Sequence, residues 1–238
     1  MLNTYILQTQ QLLQNPAAPV ALYSTADLTT YINRARQQLA GEAQCVRVYS
    51  TMPTVAGVER YQFGAINVPV SVEGVFNIRT MWSRPSVGEQ RWLQPRPFEW
   101  FSLYVLNRQV ALPPGIPTQW AQYSQGEIGS FFVDPVPNSV VNLVMDTACI
   151  PIELQDDNDP EVIPFPFTDA VPFFAAYYAL LSAQAPARQA DAERMMQRYQ
   201  EFLERARRIS TPEILPFQNP QTVNPFWQAV VAEKGAAQ

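Results

Sequence analysis

The spacing of apolar residues divides the chain into stretches of different period. In residues 2–14, Leu2, Tyr5, Ile6, Leu12 and Leu13 form an amphipathic helical pattern that stops at Asn15-Pro16. A second helix is predicted after Ser24, an N-cap residue with Asp27 three positions on as an acidic variant of the capping box. Leu28, Tyr31, Ile32, Ala35 and Leu39 make its apolar stripe. Thr29, Asn33, Arg34, Arg36 and Gln37 make the opposite face, and Gly41 is the expected stop.

From Cys45 the period becomes two. Val46 and Val48 alternate with Arg47 and Tyr49, and after a turn at Ala56-Gly57 Arg60 and Gln62 alternate with Tyr61 and Phe63, which predicts a hairpin. Phe76, Ile78 and Trp82 share one face of a further strand, and Pro97 to Leu106 reads equally as a short helix or a buried strand. Another hairpin is predicted to turn at Gln125-Gly126 and to end at Asp134-Pro135. Val141, Leu143, Met145 and Cys149 then alternate with Asn142, Asp146 and Ala148, which predicts a strand buried on one face.

An acidic loop, residues 153–161, separates this region from two further helices. Thr168 or Asp169 is expected to cap the first, with Pro172 in its opening turn and Phe173, Phe174, Tyr177, Tyr178, Leu180 and Leu181 interleaved with alanines. The second, residues 187–208, carries a stripe of Ala192, Met195, Met196, Tyr199, Phe202, Leu203 and Ala206. The pairs Glu201–Arg205 and Glu204–Arg208 stand at i,i+4 on it.

Residues 210–238 differ from everything before them. Pro212, Pro216, Pro220 and Pro225 forbid a long helix, and between Pro212 and Trp227 Glu213 is the only charge. A disordered tail is ordinarily polar and charged. This one carries spaced apolar anchors in two clusters, Leu215, Pro216 and Phe217, then Pro225, Phe226 and Trp227. It either wraps its own body or docks as an arm on another chain. The organisation predicted is α+β, a helical bundle of the N-terminal part (1–44) and a C-terminal helical hairpin (153–209). A β-rich insertion (45–152) interrupts it and an extended C-terminal arm (210–238) follows it.

Composition narrows the function. Charged residues make up only 16% of the 238, against about 25% in an ordinary domain, and aromatics 12%, as expected of a surface largely covered by partners. The net charge is −5, with fifteen arginines and one lysine, Lys234, and the only basic cluster, Arg205, Arg207 and Arg208, stands at a helix end where it complements the dipole. Tight, sequence-reading binding of nucleic acid is not expected. Cys45 and Cys149 read as buried thiols of a reducing compartment. The first residues lack the charged and apolar regions of a signal peptide, and no apolar run is long enough to cross a bilayer, so a soluble, cytoplasmically made chain without membrane contact is expected.

The absence of histidine removes Ser-His-Asp and Cys-His catalysis and the usual zinc ligand sets. No phosphate-cradling glycine loop is present. Asp156 and Asp157 are read as solvated loop acids, and their loop lacks the EF-hand glycine and distal glutamate, so neither catalysis nor a bound metal nor any other cofactor is expected.

Three segments carry a resemblance: the capped helix running into a strand, STADLTTYINRARQQLAGEAQCVRVYSTMPTVAGVERYQF; the strand–turn–strand EIGSFFVDPVPNSVVNLVM; and the helices FPFTDAVPFFAAYYALL and MMQRYQEFLERARR. In this order, over roughly residues 20–208, they resemble the head-to-tail adaptor (neck or connector) proteins of tailed bacteriophages, including the tail-tubular adaptors. The resemblance implies a non-catalytic virion protein at the head–tail junction, assembled in the host cytoplasm as a homo-oligomeric ring, usually a dodecamer. Its partners would be a portal protein above and tail nozzle, tube or fibre proteins below, with DNA passing through but not bound by sequence. A C-terminal extension of such a protein often inserts into the portal. A head-closure or tail-terminator protein is a nearby reading. A different one is a carbohydrate- or receptor-binding module presenting Trp82, Trp92, Trp100 and Trp120; exposed tryptophans would favour it, whereas their place in strand-like runs predicts that most are buried.

Overall fold

Each predicted helix forms, with boundaries set by local chemistry. The computed structural model describes residues 1–15, 21–86, 88–107, 113–126, 128–183 and 188–210. Helix α1 (Leu2–Leu13) buries Leu2, Tyr5, Ile6, Thr9 and Leu13. Its first turn is satisfied from far along the chain: Asp157 Oδ1 accepts from the Asn3 backbone N–H at 2.8 Å, and Oδ2 from the Asn3 side chain at 2.6 Å. Helix α2 (Thr25–Ala43) begins with the predicted capping box, in which the Asp27 N–H donates to Ser24 Oγ at 3.1 Å and the Ser24 N–H to Asp27 Oδ2 at 3.2 Å. Such a cap is worth about 1 kcal/mol. Gly41 does not end the helix; Gln44 does, in the left-handed conformation (φ 50°).

The β region is two four-stranded sheets. In the first the order is β1 (Arg47–Pro53), β8 (Asn142–Pro151), β3 (Val72–Arg84), β4 (Arg91–Trp92), all antiparallel. In the second it is β2 (Arg60–Gln62), β7 (Ser130–Asp134), β6 (Gln119–Tyr123), β5 (Gln94–Pro95), with only β5 and β6 parallel. The hairpin expected over residues 45–63 is therefore not formed. The turn is there, with Gly57 at φ 80° and Tyr61 Oη donating to the Val58 carbonyl at 2.9 Å, but it carries the chain from one sheet to the other. The hairpin at Gly126 forms as predicted, between β6 and β7, with that glycine at φ 72°.

Two strands depart from simple alternation. Register shifts between Val72 and Gly74, Val75 and Asn77, and Ile78 and Thr80 make β3 bury Val72, Val75, Ile78 and Met81 at intervals of three, so that Phe76 and Trp82 are half-buried and do not share the face of Ile78. Strand β8, central in its sheet, is buried on both faces: Leu143, Met145 and Cys149 on one, Val144 and Ala148 on the other. Strand β7 is likewise enclosed. Phe131 and Val133 join the main core, while Phe132 packs with Phe101, Val105 and Ala121 under α3 (Phe98–Phe101). The ambiguous stretch 97–106 is thus helical, and it ends in a wide turn, Ser102–Leu106, closed by the Asn107 N–H on the Ser102 carbonyl at 3.2 Å.

Helix α4 (Ala170–Ser182) lies in the middle of the helical part, touching α1, α2 and α5 (Gln189–Ser210). Pro172 sits in its first turn, as expected, but Asp169 at the N-cap makes no side-chain capping bond. Its rings meet those of α5, with Phe174 and Tyr199 centroids 4.5 Å apart and Phe173 stacked on Phe202 at 5.5 Å. On α5, Ala192, Tyr199, Leu203 and Ala206 are buried. Glu201 pairs with Arg198 at 2.9 Å, one turn back, and Arg205 lies over the Phe202 ring at 5.8 Å. Helix α2 also packs on β8, so one continuous core joins the helices to both sheets.

Two residues assigned to the polar face of α2 are in that core. Arg36 is wholly buried and Asn33 nearly so. Arg36 Nε and Nη2 donate to the two carboxylate oxygens of Glu161, each at 3.0 Å, and Nη1 to the Ile152 carbonyl at 2.7 Å. The Asn33 amide bonds both the N–H and the carbonyl of Leu154, at 2.8 and 2.9 Å. The acidic loop is solvated along most of its length, with Glu153, Asp156 and Asp157 exposed as expected, but Leu154 and Glu161 strap it to α2. Its other acids work locally: Asp159 Oδ2 accepts the N–H groups of Gln155 and Asp156, and Asp156 Oδ1 accepts that of Asn158.

Cys45 and Cys149 are free and buried. Burial pushes the Cys45 thiol up to about 11 from its ordinary 9.0 and raises that of Cys149 as well. In the folded chain neither thiol should react with Ellman's reagent at pH 8, and both should react in denaturant. Because the folded values lie above the unfolded one, this contribution to stability is whole below about pH 9 and is lost as pH rises through about 11. A melting temperature that held constant over that range would contradict the assignment.

Candidate functional site

The six predicted anchor residues, Leu215, Pro216, Phe217, Pro225, Phe226 and Trp227, lie outside the described residues. What is described is the place from which that segment leaves the body. The last turn of α5 is held there by three contacts. Ser210 Oγ donates to the Ala43 carbonyl at 2.5 Å, the Ser210 carbonyl accepts from Arg79 Nη1 at 3.3 Å, and Arg207 Nε donates to the Glu42 carbonyl at 3.1 Å. Glu42 draws further groups to the same point: its carboxylate accepts from Gln38 and from Tyr199 Oη (3.4 Å) and lies 3.7 Å from Arg207 Nη2. Burial, then the Glu42 charge, raises the Tyr199 phenol above its usual range, so it stays a hydrogen-bond donor. The basic end of α5 does complement the helix dipole, and Arg207 also ties α5 to the end of α2.

This exit opens onto two adjoining hollows. One, about 460 Å³, has a largely polar wall of Arg34, Gln37, Gln38, Gly41 and Glu42 on α2, faced by Phe76 and Ile150 of the sheet. The other, about 390 Å³, shares Ile150 and is walled by Phe63, Ile66, Val68 and Val75, with Glu73 at its edge. Both fall within the range of roughly 300–1,000 Å³ typical of clefts that take a ligand. The second depends on Gly129, whose missing side chain lets the Phe63 ring close over the Gly126 turn. A Cβ there would stand 2.5 Å from Phe63 Cδ2 and 2.8 Å from the Gly126 carbonyl.

The four tryptophans of the β-rich part do not form one surface. Trp120 is buried, Trp82 and Trp100 are half-buried, and only Trp92 is exposed, at 43%. Trp92 meets Trp82 edge-on at 5.4 Å, and Trp82 lies 6.2 Å from the exposed Tyr49, beside the Arg47–Asp146 ion pair. Trp100 belongs to a separate patch on α3, under the Arg96 guanidinium at 4.6 Å and next to the exposed Leu103 and Tyr104.

Sequence reasoning missed Arg79, Glu42 and Ser210 as the anchorage of the last helix. None belongs to a motif, and the only hint was that Ser210 directly precedes the proline-rich segment. Among the described residues, no group of three or more His, Cys, Asp or Glu side chains is placed to hold a metal ion, and no helix is long and apolar enough to cross a membrane. No protein-family model matches the chain, and no curated protein matches it either.

Proposed function

We propose that the chain is a structural subunit of a virus particle, a head-to-tail adaptor that assembles as a ring beneath a portal and continues its DNA channel. The apolar residues after Ser210 form the arm that grips the portal. The observation that carries this reading is the fixed exit of that segment. A chain end with two apolar clusters and one charge between Pro212 and Trp227 leaves from a point tied to both α2 and β3, as an assembly arm requires. The low charge, the lack of histidine and the arrangement of a helical layer interrupted by a β-rich excursion agree with a structural role without catalysis. On this reading the exposed aromatic groups around Trp92 and on α3 face tail nozzle, tube or fibre proteins. Negative-stain images of the purified chain mixed with portal rings of the same virus test the proposal. A second ring stacked coaxially on the portal is expected, and free, unstacked particles would reject it.

The row Tyr49, Trp82 and Trp92, exposed at both ends, favours, as a second reading, a carbohydrate-binding face on the first sheet. Soluble glycans that quench tryptophan emission in the wild type but not in Trp92→Ala would favour that reading over the first.

A further inference from the structure

We propose that the hollow beside Phe63 is a socket for a second copy of this chain, and that the exposed turn after α3, with Leu103 and Tyr104 at its crest, is the plug. The inference rests on the ring reading for the number of copies joined, and deepens it by naming the two surfaces that meet between neighbours.

The socket opens where the two sheets part. Phe63 and Gly126 come from the side of the second sheet, Val75 from β3 and Ile150 from β8. Gly64 and Gly74 also line it, and a Cβ built on either meets nothing within 4 Å. Neither backbone is in the left-handed region, so neither the helical turn holding Gly64 nor the bulge before Gly74 requires a glycine. Both leave room for another chain to approach. Close by, two aliphatic side chains lie in water. Val70, two residues past Val68 of the wall, is 95% exposed, and Ile128, in the turn of Gly126, is 80% exposed. Apolar groups left bare around a cleft mark a protein interface.

The plug is the wide turn Ser102–Leu106. Val105 is buried with Phe101, while Leu103 and Tyr104 stand exposed, Tyr104 against the Trp100 ring at 5.3 Å. Plug and socket cannot meet within one chain. Ala121, Tyr123 and Phe132 face α3, whereas Trp120, Phe131 and Val133 face the main core, to which Phe63 belongs. The second sheet therefore stands between them. Two complementary surfaces on different sides of one molecule join copies head to tail, and such a contact closes into a ring when the rotation per copy allows.

The charges agree with this pairing. Glu73 stands at the edge of the socket and Arg34 in the adjoining hollow, where the other acid, Glu42, is already engaged by Tyr199 and Arg207. Beside the plug stand Arg96, over the Trp100 ring at 4.6 Å, and the exposed Glu99. Each surface is an apolar centre flanked by one charge of either sign, so Glu73 can face Arg96 of the next copy and Arg34 its Glu99. The α3 patch is thereby assigned to the neighbouring copy, and of the exposed aromatic groups those around Trp92 remain for tail proteins.

The test mixes two full-length variants, Val70→Cys and Tyr104→Cys, each changed at an exposed position, and treats them with a short bismaleimide; Cys45 and Cys149 are buried and stay unmodified. Links between position 70 of one chain and position 104 of another are expected to form at least about tenfold faster than 70–70 or 104–104 links, since docking raises the effective concentration of that one pair. Adding Leu103→Asp to the Tyr104→Cys chain places a charge on the plug, and adding Gly74→Trp to the Val70→Cys chain fills the socket. Each should return the mixed links to the rate of the like ones. Leu103 is exposed, so its variant keeps the fold and decides the matter if Gly74→Trp melts early. Mixed links no faster than like links, or unchanged by Leu103→Asp, overturn the inference. Fast mixed links without a ring on the portal leave it standing and reject the adaptor reading, whereas a ring on the portal without them does the reverse.

Discussion

Replacing Arg36 with alanine is expected to lower the melting temperature by about 10 °C. The guanidinium is fully buried and bonds both oxygens of Glu161, the Ile152 carbonyl and, at 3.3 Å, Asn33 Oδ1. Removing one partner of a buried ion pair strands the other charge and costs roughly 3–5 kcal/mol. In a chain of this size each kcal/mol moves the midpoint by about 2–4 °C. The damage is expected to be directional, because Arg36 and Asn33 together hold the crossover 152–161 that leads from β8 to α4. The double variant Arg36→Met/Glu161→Leu removes both charges and fills the space, and it should recover more than half of the loss. Differential scanning calorimetry distinguishes these outcomes. A single variant as stable as the wild type would mean that the pair is hydrated and of little consequence.

Deleting residues 211–238 is expected to leave a body that still melts cooperatively while its binding to portal rings falls by at least about a hundredfold. A large apolar side chain contributes about 1.5–3 kcal/mol on full burial. Phe217 and Trp227 alone then represent about 3–6 kcal/mol, or roughly two to four powers of ten in affinity for each arm. Around a ring such arms act together, and the loss grows through avidity. The four contacts of Arg207, Ser210, Arg79 and Glu42 lie before the cut, so α5 keeps its seat. Cosedimentation of the truncated and full chains with portal rings measures the difference, and equal binding would remove the arm from the proposal.

The helices were legible because their signals are local. Ser24 and Asp27 are three residues apart and their bonds form whatever else happens. The partners of strands are not local. Val46 to Phe63 alternates correctly for a hairpin, yet β1 finds its neighbour in β8, with Tyr49 opposite Asp146, and β2 finds its own in β7. Alternation fixes which face is buried but carries no information about which strand lies alongside. In β3 even the faces were unreadable, since each bulge adds a residue to one side of the ladder and resets the period.

Burial of a charge was misread for a different reason. Arg36 follows Ile32 by four positions and precedes Leu39 by three, so it lies at the edge of the apolar stripe; its charge assigned it to solvent. Glu161, the group that permits its burial, is far away in sequence and looked like one more acid in a polar loop. As for the candidate site, its apolar anchors could be named from sequence. The cleft could not, because its walls come from α2, β3, β8 and the turn around Phe63, and only the folded chain brings them together.

The seat of Ser210 also determines how the molecule carries a mechanical load. A pull on the chain beyond Ser210 reaches Arg79, which stands in the middle of the thirteen-residue strand β3, and the carbonyls that end α2. Strand β3 is bonded along most of its length to β8, so tension is shared among many ladder bonds at once. The helix is not peeled off turn by turn from its free end. A chain end tethered in this way passes a pull sideways into the sheet and the end of α2 before it reaches the rest of α5.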